Sequence, residues 1–207
     1  MEMYLCKALA RFSTVLLTEG NMKVIVTAIP GVLIIEPKCF GDARGFFMET
    51  YEFERYGGAG VKRPFVQDNL SRSAHGVLRG LHLQNPGPQG KLVTVFRGRV
   101  LDVAVDVRRR SPTFAKHVAV ELDDETRRQL WVPRGFAHGF IVLSDMADLF
   151  YKCDTPYSPK DEIAVRWDDP TLNIDWKIAQ PRLSDRDAVA PVLAEIPNLP
   201  SYGAADL

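Results

Sequence analysis

The sequence predicts an all-β protein, a sandwich or closed barrel of short strands with a few short peripheral helices. Three observations point there. From Lys23 onward, short β-branched and aromatic runs alternate with Gly, Pro and Asp punctuation. The run 100–107 alternates strictly, with Leu101, Val103, Val105 and Val107 on one face and Asp102, Ala104 and Asp106 on the other. Helix signals are confined to two places, and no fixed-period repeat, heptad or low-complexity tract is visible.

Taken in chain order, the first strand candidate is 32–36. A helix is expected over 49–56, where apolar and acidic residues mix ahead of Gly57-Gly58. Residues 77–84 read as strand, then 91–96, and the chain turns near Gly98 before the alternating run 100–107. Further strands are expected at 117–122, 128–132, 139–143, 148–153 and 162–167. The acidic stretch 121–125 ahead of Arg127-Arg128 reads as a solvated turn. A second helix is signalled by Ser184-Asp185-Arg186-Asp187 opening the segment 188–196, with Pro191 tolerated only near a first turn. The end of the chain, with Pro191, Pro197 and Pro200, is expected to trail over the surface. These readings divide the chain into an N-terminal extension (1–22), one β domain (23–198) and a C-terminal tail (199–207).

Composition narrows the function classes. The 207 residues are 46% apolar and 25% charged, and 26 Lys and Arg balance 26 Asp and Glu, which excludes a globally basic nucleic-acid binder but not a local basic pocket. Cys6, Cys39 and Cys153 are odd in number and widely spaced, which argues against a disulfide framework or thiolate zinc site and for a reducing cytoplasm. The apolar part of the first 20 residues is short, follows Lys7 and Arg11 and lacks a small-x-small cleavage pattern, so no secretory leader is expected. The run 24–35 is broken by Pro30-Gly31 and falls short of the ~20 residues of a membrane span. No P-loop occurs, and Gly58-Ala59-Gly60 lacks the third glycine and preceding strand of a dinucleotide site.

The four histidines, His75, His82, His117 and His138, carry the most information. His138 closes a Pro133-x-Gly135-x-x-His138 turn leading into an apolar strand, which resembles the second motif of cupins, small jelly-roll barrels. Metal-binding cupins present three imidazoles and one carboxylate. Here the first motif reads His82-Leu83-Gln84 and is followed by Lys91, so one imidazole is missing and a cation stands where a carboxylate is needed. No metal is expected. A barrel mouth with two imidazoles and cationic side chains suits a phosphate-bearing substrate that undergoes proton transfer.

Longer motifs carry a closer resemblance. Leu78-Arg79-Gly80-Leu81-His82-Leu83-Gln84, Gln89-Gly90-Lys91-Leu92-Val93, the 102–108 segment, Ser111-Pro112-Thr113-Phe114, the 129–140 segment, Tyr151-Lys152-Cys153 and Trp167-Asp168-Asp169-Pro170 resemble the dTDP-4-dehydrorhamnose 3,5-epimerase family. So do Gly41-Asp42-Ala43-Arg44-Gly45-Phe46-Phe47 and Val66-Gln67-Asp68-Asn69, and the likeness runs in family order from about Lys23 to Leu193. It implies a cupin-like jelly-roll barrel. It also implies conversion of dTDP-4-dehydro-6-deoxy-D-glucose to its 3,5-epimer, dTDP-4-dehydro-L-rhamnose, through an enolate at the C4 ketone. No cofactor is required, because both carbons flank a carbonyl that can hold the charge.

By that resemblance His82 is the base, Asp187 its orienting carboxylate, Tyr151 the acid and Lys91 the stabiliser of the enolate oxygen. Arg44, Glu49, Gln67, Asp68, Asn69, Arg79, His138, Glu162 and Arg186 fall on substrate- or nucleotide-binding positions, and Tyr157 on one that stacks on the thymine. Read from the residues alone, Asp187 could equally be a helix-start carboxylate, Tyr151 a core aromatic and Lys91 a solvated strand-end lysine. Arg79 and His82 differ by an odd number, which aims them at opposite faces of a regular strand unless Gly80 permits a bulge. The family also implies a homodimer with exchanged N-terminal strands, in which Arg44, Glu49 and 67–69 serve the neighbour's pocket. Competing readings are a mono-epimerase acting at C3 or C5 only, a 3,4-ketoisomerase on the same barrel, a metal-dependent cupin oxygenase, and a non-catalytic sugar-nucleotide binding cupin.

Overall fold

A computed structural model describes residues 16–19 and 22–203. Fourteen strands follow in order: β1 (Leu16–Glu19), β2 (Met22–Val26), β3 (Leu33–Pro37), β4 (Cys39–Asp42), β5 (Gly45–Met48), β6 (Gln67–Ala74), β7 (Leu78–Gln84), β8 (Lys91–Arg97), β9 (Arg99–Asp106), β10 (His117–Asp123), β11 (Gln129–Val132), β12 (Phe136–Val142), β13 (Met146–Cys153) and β14 (Glu162–Ala164). Helix α1 (Phe53–Gly58) lies between β5 and β6, and α2 (Asp185–Ala188) and a 3-10 turn (Leu193–Glu195) follow β14. The strands make a seven-stranded sheet, β1-β2-β3-β11-β8-β13-β6, a five-stranded sheet, β10-β9-β12-β7-β14, and a separate β4-β5 hairpin. Every pairing between these strands is antiparallel. This is the all-β, cupin-type jelly roll that the resemblance implied.

The inner faces of the two large sheets meet in the main core. Ile34, Val93, Val95, Leu130, Val132 and Leu149 of one sheet pack on Ala104, Val118, Val120, Phe136, Phe140 and Val142 of the other. The outer face of the five-stranded sheet is also buried. Leu78, Leu81, Leu83, Leu101, Val103 and Val105 lie under Val165, Leu172, Trp176, Leu193, Ile196 and Leu199. Both faces of β9 are therefore inside, and Asp102 and Asp106, on the less apolar face, are fully buried and hydrogen-bonded. Gly98, with φ of +77°, turns the chain from β8 in one sheet to β9 in the other, so the expected turn is a corner between sheets rather than a hairpin.

Some expectations shift. The first helix begins at Phe53 rather than 49, because Glu52 caps it by accepting from the Glu54 and Arg55 N–H groups at 3.0 and 2.8 Å. The second helix is a single turn. Ser184 caps it, accepting from Asp187 N–H at 3.1 Å, and it ends before Pro191. The strand expected over 162–167 stops at Ala164. Strands β1, β2 and β4 to β6 were not among the candidates read from alternation; β6 is polar throughout except Leu70 and Ala74, and lies at a sheet edge.

The chain ends also differ from expectation. Within the expected 1–22 extension, β1 pairs with β2 across that boundary, in the register Glu19↔Met22. The stretch expected to trail from the surface is instead docked. Leu199 and Pro200 are buried, the Arg109 N–H donates to the Pro200 carbonyl at 2.7 Å, and the Arg108 guanidinium lies over the rings of Phe136 and Tyr202.

Gln129 ties α1 to the large sheet. Fully buried on β11, it accepts from the Tyr56 hydroxyl at 2.7 Å and donates to the Thr50 carbonyl and Thr94 hydroxyl at 2.9 and 3.0 Å. Gln129→Leu is expected to lower stability by about 2 kcal/mol, since these partners lose hydrogen bonds in a dry site. Urea unfolding at unchanged m-value checks it.

Candidate active site

A cavity of about 610 Å³ opens between the sheets and the α2 segment, a size suited to a small-molecule ligand. His82 (β7), Lys91 (β8), His138 (β12), Tyr151 (β13), Glu162 (β14), Arg186 and Asp187 (α2), Arg79 and Tyr157 all line it. Six elements distant in sequence thus deliver their polar side chains to one mouth.

The strand β7 explains how Arg79 and His82 share that mouth. Against β12, His82 pairs with His138 while Arg79 pairs with Phe140, so three steps on β7 span two on β12. This is a one-residue bulge, as the odd spacing required. Gly80 sits within it at φ +123°, and a Cβ there would stand 2.6 Å from Gly139 Cα and 2.8 Å from the His138 carbonyl oxygen. Only glycine fits so close to the neighbouring backbone.

His82 Nε2 donates to Asp187 Oδ1 at 2.6 Å. Asp187 is 3% exposed and also accepts from the Gly80 N–H at 3.5 Å. Burial works to raise its carboxyl pKa, but the hydrogen bond and charge of His82, with Ser184 and Gly80, outweigh it and hold the group below the ordinary range. Asp187 therefore sits in a helix first turn yet turns its carboxylate to the imidazole. The Nδ1 of His82 faces away from Asp187, 4.0 Å from Glu162 Oε1. An imidazole gripped through one nitrogen and open at the other can take a proton at the open one, with the carboxylate stabilising the imidazolium.

A second imidazole–carboxylate pair lies alongside. His138 Nε2 donates to Asp102 at 2.9 and 3.1 Å, and Asp102 is wholly buried on β9. Asp102 was not among the residues singled out from the sequence. Its one signal was an acid on the inward-facing side of a strand whose neighbours are apolar.

Lys91 is 8% exposed, which rules out the solvated strand-end reading. Burial lowers its ammonium pKa, opposed by the charges of Cys153, Glu162 and Asp102. Cys153, opposite Lys91 in the β13–β8 register, is pushed by burial up to about 11. Burial also raises the Tyr151 phenol, helped by the charges of Cys153 and Glu162. The upward shift keeps Tyr151 a neutral phenol near neutral pH, and the Lys91 amine faces the same cavity.

At the rim, Glu162 accepts from the Tyr157 hydroxyl at 2.8 Å and is paired with Arg186. Arg182, also not singled out from the sequence, joins Arg79, Arg186 and Lys91 in lining the cavity. Such a cluster of guanidinium forks matches phosphate oxygens.

Other expected site residues lie elsewhere in the chain. Arg44 is at the tip of the β4-β5 hairpin, paired with Asp42, and Glu49 is paired with Arg55. Asp68 accepts from Lys152 at 2.8 and 2.9 Å, and Asn69 accepts from Gln67 at 2.9 Å. None of these five lines the cavity. Gln67 comes nearest, accepting from the Tyr157 N–H at 2.7 Å. Among the described residues, no group of three or more His, Cys, Asp or Glu is placed to hold a metal ion.

A jelly-roll barrel whose mouth gathers an imidazole–carboxylate pair, a phenol, a buried lysine and a ring of arginines defines an acid–base enzyme for an anionic substrate. Comparison with known proteins specifies the class further. Residues 26–195 match the family model described as dTDP-4-dehydrorhamnose 3,5-epimerase. The dTDP-4-dehydrorhamnose 3,5-epimerase of Shigella flexneri is 55% identical over 168 residues, covering 80% of this chain and 93% of that protein. The crystal structure of a Legionella pneumophila dTDP-6-deoxy-D-glucose-3,5-epimerase in complex with dTDP-4-keto-L-rhamnose superposes with a TM-score of 0.87 at 52% identity, covering 88% of this chain and all of that one. A 3′-monoepimerase from Streptomyces bikiniensis, in complex with dTDP-quinovose, is more distant, at 38% identity and a TM-score of 0.79 over 84% of this chain and 91% of that one. The chain belongs to the dTDP-4-dehydrorhamnose 3,5-epimerase family.

Proposed function

We propose that the chain inverts C3 and C5 of dTDP-4-dehydro-6-deoxy-D-glucose, giving dTDP-4-dehydro-L-rhamnose. The observation that carries this reading is the convergence of the His82–Asp187 pair, Tyr151 and Lys91 on one cavity. His82 Nδ1 removes a proton from a carbon beside the C4 ketone. The enolate charge collects on the ketone oxygen, where the Lys91 ammonium offsets it. Tyr151 returns a proton from the opposite face, which inverts the carbon. Repeating the sequence at the other carbon completes the reaction. Arg79 and Arg186 hold the diphosphate, Tyr157 stacks on the thymine, and His138 positions the sugar.

The domain performing this is 23–198, and a reducing, cytoplasmic setting fits the free thiols of Cys39 and Cys153. Among the described residues, no helix is long and apolar enough to cross a membrane. The greater identity to 3,5-epimerases than to the 3′-monoepimerase favours action at both carbons. Proton NMR of the product is the test: inversion at both C3 and C5 supports the reading, and inversion at one alone makes the chain a mono-epimerase.

The working unit in this reading is a homodimer, in which the β4-β5 hairpin and the 67–69 segment of one subunit complete the cavity of the other. Exposed Phe40, Phe46 and Phe47 on the hairpin and Leu70 on β6 support it, since bare aromatic surface of this kind favours a partner. Mixing Arg44→Ala with His82→Asn protein is expected to restore part of the activity that each lacks. No recovery on mixing subunits that exchange freely would count against shared sites.

The pH profile follows from the two opposed shifts. Ordinary lysine and tyrosine titrate near ~10.4 and ~10. Burial pushes Lys91 below its ordinary value, and the enolate stabilisation goes with its proton as pH rises. The alkaline limb of kcat/KM is therefore expected below ~10.4. A limb at or above that value would contradict the assignment.

A further inference from the structure

Two inversions pose a problem that one inversion does not. After the first, His82 carries the proton it removed and Tyr151 has become a phenolate, so neither can act again until each is reset. This inference rests on the proposed function. The proton on His82 sits on Nδ1, because Nε2 already donates to Asp187. Asp187 offers no outlet, since it is 3% exposed and holds Nε2 from the closed side. The nearest carboxylate on the open side is Glu162, whose Oε1 is 4.0 Å from Nδ1, a gap closed by one water or a small side-chain rotation.

Glu162 is also built to pass a proton on. Its other oxygen accepts from the Tyr157 hydroxyl at 2.8 Å and is paired with Arg186, and both of these side chains are about half exposed at the cavity mouth. One carboxylate therefore touches the inside of the site with one oxygen and the rim with the other. The bonds from Tyr157 and Arg186 and the charge of His82 outweigh burial and keep Glu162 ionised, so a proton received is released rather than stored. Strand β14 fixes the arrangement: Ala164 pairs with His82 and Glu162 with Gln84, which sets Glu162 two residues along the same face.

We propose that Glu162 is the proton relay that resets His82 between the two inversions. The Nδ1–H bond breaks as the Glu162 O–H bond forms, and the carboxyl then gives that proton to water at the rim. Tyr151 phenolate takes one proton from solvent. The sum is transfer of one proton from His82 to Tyr151, with solvent unchanged and nothing oxidised or reduced. A residue that only holds the sugar would slow both inversions together, whereas a relay is needed only from the second onward.

Rapid-quench analysis of Glu162→Gln with dTDP-4-dehydro-6-deoxy-D-glucose separates these. The expected result is a fast first phase of about one singly inverted sugar per site, then a phase slower than wild type by about tenfold or more. Added imidazole buffer is expected to accelerate the slow phase in the variant and leave wild type unchanged, because a diffusing base replaces the missing carboxylate. Parallel slowing of both inversions without buffer rescue, or wild-type rates throughout, overturns the relay. Should Glu162→Gln fail to bind dTDP, Glu162→Ala decides: a buffer-dependent second phase supports the relay and buffer-independent rates overturn it. If wild-type protein inverts neither carbon, the proposed function fails instead.

Discussion

His82→Asn is expected to lower turnover by roughly a thousandfold or more while leaving dTDP affinity within a few fold. Asparagine keeps a donor toward Asp187, so the buried carboxylate remains partnered and the fold is spared the cost of an orphaned charge. What disappears is the open Nδ1 of His82, the atom assigned to accept the carbon-bound proton. The affinity should survive because the diphosphate and base are assigned to Arg79, Arg186 and Tyr157, at the rim rather than beside the imidazole. Steady-state rates and dTDP titration calorimetry check both halves. A variant retaining a tenth of the wild-type rate would place the base elsewhere.

Gly80→Ala is expected to cost about 3–5 kcal/mol of stability and most of the activity. Its Cβ would meet two backbone atoms, Gly139 Cα at 2.6 Å and His138 O at 2.8 Å, neither of which can swing aside as a side chain could. The φ of +123° adds strain of its own. Relief requires β7 to move off β12, and that displaces Arg79, His82 and the Gly80 N–H held by Asp187 together. Gly57, in α1, is the control: nothing lies within 4 Å of its added Cβ, so Gly57→Ala is expected to be neutral or slightly stabilising. Urea midpoints for the two variants make the comparison. Equal stability would mean the bulge tolerates a side chain and does not set the geometry.

The strands that alternate or run apolar, β3 and β7 to β13, were legible because burial of at least one face leaves a period in the sequence. The hairpin β4-β5 and the strand β6 were not. Among the described residues their side chains lie largely in the open, so no core wrote an apolar pattern into them. The bulge at Gly80 was legible from two residues alone, since Arg79 and His82 could share a cavity only if the register slipped. Helix α2 was overestimated because its capping residues are strong signals for a start and carry nothing about length. Pro191 set the limit.

Within the cavity, the His82–Asp187 partnership was legible through the family resemblance and not from the residues themselves. His82, Tyr151 and Lys91 stood out by motif, yet that Asp187 turns toward His82 rather than its own helix depends on a partner 105 positions away. Asp102 and Arg182 stayed hidden because their placement arises only in the fold, where β9 pairs with β12 and brings Asp102 to His138, and the segment before α2 reaches the cavity. The neutral overall charge concealed a local excess of cations there, contributed by Arg79, Lys91, Arg182 and Arg186.

The central claim is that this cavity moves protons on and off both carbons flanking one ketone. Incubation of the wild-type protein with dTDP-4-dehydro-6-deoxy-D-glucose in D2O, with deuterium located by NMR, tests it most directly. Deuterium at both C3 and C5 is the result expected, because each inversion discards a substrate proton and draws its replacement from a solvent-equilibrated Tyr151. Inverted product without deuterium at either carbon, or deuterium at only one, would contradict it.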